Sequence, residues 1–135
     1  METVLALTAL YALSLMLGGM VFFAAITTPV AFRRLEKEQA RHYIRGVFPA
    51  YYLWVLATSA VAALALVPLA WRAAAVMAAC AVAAVWMRQG VMLRIRAADE
   101  AGDVATFRKL HRLSVIVNLL QMLAAAGVLA VHAGA

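Results

Sequence analysis

Four long apolar runs separated by short charged connections leave this chain few ways to fold. The runs cover about residues 4–32, 47–69, 73–95 and 104–131. All six acidic residues, Glu2, Glu36, Glu38, Asp99, Glu100 and Asp103, lie outside them. About 20 apolar residues in helical form cross a hydrocarbon core of about 30 Å, so each run is long enough to span a bilayer. In lipid every backbone N–H and C=O must find its partner within the protein, and a helix does this within one segment. The expected fold is therefore all-α, one membrane domain over residues 1–135. Short links between the helices imply an antiparallel four-helix bundle.

Composition agrees, with 67% hydrophobic residues and 13% charged, against the roughly 45–50% apolar content of soluble domains. The net charge of +6 does not point to nucleic acid, because no recognition module is present and the basic residues sit in connections. The first connection carries Arg33, Arg34, Lys37, Arg41 and Arg45, and the second only Arg72. The end of the third span and its connection carry Arg88, Arg94, Arg96, Arg108, Lys109 and Arg112. By the positive-inside rule the first and third connections are cytoplasmic and both termini lie on the non-cytoplasmic side. The N-terminus lacks a basic n-region and runs past signal-peptide length, which reads as a retained span. The expected location is the bacterial inner (plasma) membrane.

Local signals refine the spans. Pro29 cannot donate to the Ala25 carbonyl, so Thr28-Pro29 is expected to break the first helix. Tyr11, Ser14, Gly18, Phe22 and Ala25 share one face of that helix, and Ser14 and Gly18 would let a neighbouring backbone approach. Arg33 to Gly46 reads as a helical connection, with Pro49 in the first turn of the second span. Tyr51, Tyr52 and Trp54 would then form an interfacial aromatic cluster. Ala74 with Ala78 and Ala79 with Ala83 are small-residue pairs suited to tight packing in the third span. Gly102 can end the third helix, and Asp103 can cap the fourth.

The candidate site rests on FRKLHRLSVIVNLLQ, where His111, Ser114, Asn118 and Gln121 recur at helical spacing inside an apolar segment. An amide facing lipid costs several kcal/mol, so this stripe should face protein, ligand or water. Arg88 also lies inside an apolar run. It either snorkels or turns inward to meet an anion or that stripe. A pocket using Arg88, His111, Asn118, Gln121 and Ser114, beside Tyr51 and Arg45, would suit a small anionic or amphipathic ligand such as a lipid head group, a quinone or a small acid. The competing reading has the amides only bridging helices. Haem would need axial ligands at similar depth, for which His42 and His111 are the candidates. A soft-metal path would use Met16, Met20 and Cys80, although methionines in a bundle more often fill space. No embedded carboxylate, metalloprotease motif or nucleophile elbow supports an enzyme.

Three segments together, GGMVFFAAITTPVAFRRL, GVFPAYY and FRKLHRLSVIVNLL, resemble the transmembrane protein 205 family of small four-helix membrane proteins. The matching positions are Gly18, Gly19, Phe22, Phe23 and Pro29; Phe48, Pro49 and Tyr51; and Leu110, His111, Ser114 and Asn118. The resemblance implies the fold and, through that family's association with resistance to platinum drugs, export or trafficking. A more distant likeness is to the copper-resistance D and haem-dependent protoporphyrinogen oxidase group. There the comparable position to a first-helix haem histidine is Tyr11 here. The functional expectation is a self-associating membrane protein that binds or moves a small ligand from its cytoplasmic side. The alternatives are a haem- or quinone-binding redox protein and an assembly protein without ligand.

Overall fold

The computed structural model describes residues 1–134. Four long helices account for nearly all of them: α1 (Glu2–Arg34), α2 (Lys37–Leu66), α3 (Trp71–Glu100) and α4 (Val104–Ala133). Each is long and apolar enough to cross a membrane. Helix α2 packs on α1 and α3, and α4 packs on the same two, so the helices form a bundle around one core. Outward faces carry Leu7, Leu15, Leu64, Val82 and Leu123, all exposed, as a bundle facing acyl chains requires.

The turn between α3 and α4 follows the expected chemistry. Gly102 adopts φ +71°, and the Asp103 amide reaches back to the Ala98 carbonyl at 2.9 Å, a glycine-terminated helix end. Asp103 then accepts from the Thr106 amide at 3.2 Å. Hydrogen bonds from Thr106, side chain first and backbone second, hold the Asp103 carboxyl below its usual range.

The prolines behave differently from expectation. Thr28-Pro29 does not break α1, which continues to Arg34. A π-turn over Phe23–Thr27 precedes the proline, with the Thr28 amide bonded to the Phe23 carbonyl, and Pro29 falls in the first turn of the next helical segment. The π-turn shifts the hydrogen-bond register just before Pro29, so the missing N–H falls where the ladder is already irregular. Pro49 is not a helix start either: α2 begins at Lys37, and Pro49 lies inside it. A second π-turn, Met87–Val91, interrupts α3 around Arg88, Gln89 and Gly90.

Beyond these irregularities, toward the far end of the bundle, packing is close. Leu13, Met16, Met20, Val55, Leu66, Met77 and Met87 are fully buried. Bilayer chains are as apolar as these side chains, so dispersion and hydrogen bonds, not water exclusion, hold this half. The face Tyr11, Ser14, Gly18, Phe22 and Ala25 points outward, contrary to a packing role within the chain. Nothing lies within 4 Å of a Cβ built on Gly18. Close approach occurs one residue on, at Gly19, where a Cβ would come 2.5 Å from Trp54 Nε1. That indole donates to the Leu15 carbonyl at 3.2 Å. Of the alanine pairs, Ala74 is buried while Ala78 and Ala79 face outward.

Gly19→Ala should displace Trp54 and lose the α1–α2 hydrogen bond, lowering stability by about 1 kcal/mol, the scale of one interhelical bond in a bilayer. Gly18→Ala should be neutral. Thermal unfolding in mild detergent checks this, and equal effects at the two glycines would contradict it.

Candidate functional site

The irregular turns lie close together in space. Phe23, in the α1 π-turn, stacks on Tyr51 of α2 with centroids 4.5 Å apart. Tyr51 donates to Asn118 Oδ1 of α4 at 2.8 Å, and Asn118 Nδ2 donates to the Tyr52 hydroxyl at 3.3 Å. From α3, Arg88 Nε donates to the Pro49 carbonyl at 3.1 Å. Together these contacts form one polar-aromatic layer joining all four helices. Tyr51 and Tyr52 are buried in it with their hydroxyls partnered inside the bundle, whereas Trp54 of the expected aromatic cluster is exposed. Arg88 is half-buried and meets a carbonyl, neither an anion nor the α4 stripe.

Below this layer the helices separate into two pairs. The Phe23–Arg34 part of α1 has no Cα within 8 Å of α4, and the Met92–Glu100 part of α3 has none within 8 Å of α2. Thr28–Arg34 stays with α2, while Met92–Glu100 stays with α4. Packed helices have axes 8–10 Å apart and closer Cα approaches, so the two pairs are parted at backbone level. On the α2–α3 side the gap is bridged by an ion pair between Arg45 and Asp99.

Between the pairs lies a cavity of about 200 Å³ lined by residues of every helix. Phe32, Ile44, Phe48, Met92, Ile95 and Phe107 make its walls apolar. Arg41, Arg45, Asp99, His111, Ser114 and Thr28 supply polar groups. The His111 ring lies parallel to that of Phe107, with centroids 6.0 Å apart. Ser114 donates to the His111 carbonyl at 2.7 Å. Arg41 also lines a neighbouring recess with Gly102, Asp103 and Arg108, which puts it toward the α3–α4 connection.

The α4 stripe is therefore divided. His111 and Ser114 reach the cavity, as does Arg45. Asn118 is held by the two tyrosines, and Gln121 Nε2 donates to the Cys80 carbonyl at 2.9 Å, so both act as ties between helices. Gln121 Oε1 is buried without a partner among the described residues. His42 is exposed and lies outside the cavity lining, so the structure does not bring it and His111 together in this cavity. Met16, Met20, Met77 and Cys80 belong to the buried core. Asp99, Phe32 and Phe107 were missed by sequence reasoning, which has Arg41 only as a partner for haem propionates. The only available signal was that opposite charges, Arg45 and Asp99, stand beside the two basic connections.

Four helices of this length and apolarity define a small helical-bundle protein integral to a membrane. The chain belongs to the family described as a domain of unknown function (DUF4149), which it matches over residues 11–104. No curated protein and no solved structure matches it.

Asn118→Leu should leave two buried tyrosine hydroxyls unpartnered. In a double-mutant cycle with Tyr51→Phe, the coupling should be about 0.5–2 kcal/mol. Unfolding of the four proteins in detergent measures it, and strict additivity would show that the layer carries no such bond.

Proposed function

We propose that this protein binds a small amphipathic acid in the cleft at the basic end of its bundle, and that binding serves movement of that ligand from the cytoplasmic side. The observation that carries the reading is the cavity where the two helix pairs part, with cationic side chains set among aromatic and aliphatic walls. Ligand sites are commonly of this kind, apolar with a few placed polar groups. Arg45 is engaged by Asp99, whereas the side chains of Arg41 and His111 hydrogen-bond to no other side chain among the described residues, which leaves them to an acidic group. The orientation assumed is an antiparallel bundle with both termini on the non-cytoplasmic side, as the basic connections favour, in the plasma membrane. Beyond the Tyr51–Asn118 layer, the fully buried Leu13, Met16, Met20 and Leu66 argue for a site reached from one side and not for an open pore.

The resemblance to the transmembrane protein 205 family is consistent with an export or trafficking role. Self-association has its best surface in the outward Tyr11–Ser14–Gly18–Phe22 face, whose small residues permit close helix approach. The purely structural reading keeps its force for Asn118 and Gln121, which already tie helices together.

Native mass spectrometry of the protein released from mild detergent, beside an Arg41→Ala, His111→Ala variant, tests the proposal. A discrete adduct on the wild type, reduced at least about tenfold in the folded variant, is expected if two contacts of about 1 kcal/mol or more are removed. Equal adducts, or clean masses for both, would count against it.

A further inference from the structure

The cleft is closed unevenly. On the α2–α3 side the Arg45–Asp99 pair spans it. On the α1–α4 side no ion pair or hydrogen bond crosses it among the described residues, and the Phe23–Arg34 and α4 backbones stay more than 8 Å apart. Cavity-lining residues stand on both edges of that opening: Thr28 and Phe32 on α1, and Phe107, His111 and Ser114 on α4. Phe32 is 49% exposed, as an edge residue should be. The cause is local. Over Glu2–Phe22 α1 packs against α4, and contact ends where the π-turn begins. A π-turn inserts an extra residue into the helix and re-aims the turns beyond it, and Pro29 fixes the new course.

This opening lies on the flank of two helices long and apolar enough to span a membrane, the side on which a bilayer would border it. We infer that the cleft is loaded sideways from the leaflet at the basic end, between α1 and α4, by a single-chain amphiphile with one acidic head group, of the fatty-acid type. The inference rests on the proposed ligand-binding role and specifies its substrate class and route.

Charge and volume both select that class. The cavity's charged lining is Arg41, Arg45 and Asp99, which leaves one positive charge when His111 is neutral. A monoanion matches it, and Arg41 can hold a carboxylate through paired N–H donors. A cavity of about 150 Å³ accommodates benzene, so about 200 Å³ takes a ring or the first carbons of one chain, with the remainder outside. The head would sit at Arg41 near the connection, the next carbons against Phe48, Met92 and Ile95, and the rest of the chain would leave past Phe32 and Phe107 into the bilayer.

The test uses the full chain with Cys80→Ala, Phe32→Cys and Phe107→Cys in lipid nanodiscs, with the two cysteines either free or bridged by a short bismaleimide. The probes are doxyl-labelled stearate, read by its immobilised spin-label signal, and octanoate added from water, read by broadening of its methyl NMR signal. Both should bind the wild-type chain, which sets the unbridged reference; in the double-cysteine chain, closing the bridge should remove the immobilised stearate signal while octanoate still broadens. Retention of both by the bridged protein would overturn the side route and leave the cavity's ligand role standing. Loss of both would overturn a side route separate from entry at the Arg41 end of the cavity, beside the recess at the α3–α4 connection. If neither binds even to the unbridged protein, the underlying ligand reading fails, and the inference fails with it.

Discussion

The structure depends on a polar layer inside an apolar bundle, where side chains from different helices meet partners that lipid could not give them. Pro49 has no N–H, so the Arg45 carbonyl is left without its usual partner, and an unsatisfied group in hydrocarbon costs several kcal/mol. The polar contacts nearby go to other groups, the carbonyl of Pro49 itself and the side chain of Asn118. Arg88 supplies a guanidinium to the Pro49 carbonyl, and the Tyr51–Asn118–Tyr52 bonds lie beside it. An arginine that looked misplaced in an apolar run is thereby explained by the helix it faces. Its charge remains partly exposed.

This layer divides the bundle into halves with different physics. Toward the termini, buried methionine, leucine and alanine side chains interlock, and single hydrogen bonds, Trp54 to Leu15 and Gln121 to Cys80, add specificity. Toward the basic connections, two π-turns and a proline redirect three helices, so the pairs separate and a cavity results. Rearrangement in a protein is easiest where contacts are few, and here that region is also the one that carries the charged groups. The cleft and its chemistry therefore arise from the same departures from regular helix.

Much of this was legible in the sequence, and the remainder was lost for physical reasons. Hydrophobic run length gave four helices, and the Gly102-Asp103 pair gave the last turn, because both are local properties. Periodicity placed His111, Ser114, Asn118 and Gln121 on one inward face, but it cannot say which partner each meets across the bundle. Two of them became ties and two reached the cavity. The prolines misled because the same residue serves as a first-turn residue at Pro29 and an interior one at Pro49, a distinction set by helix length upstream. The π-turns leave no compositional mark beyond Gly90, and Arg41 and Asp99 look like ordinary solvated charges until the helices are placed around them.

The central claim is a cleft that opens at the basic end as far as Ser114 and is shut at the Asn118 layer. Labelling single cysteines in a Cys80→Ala background with a charged methanethiosulfonate reagent tests it most directly. Ser114→Cys should react readily from the side of the basic connections, and Gln121→Cys should stay protected in the folded protein. Protection at Ser114, or equal reaction at both positions, would contradict the account.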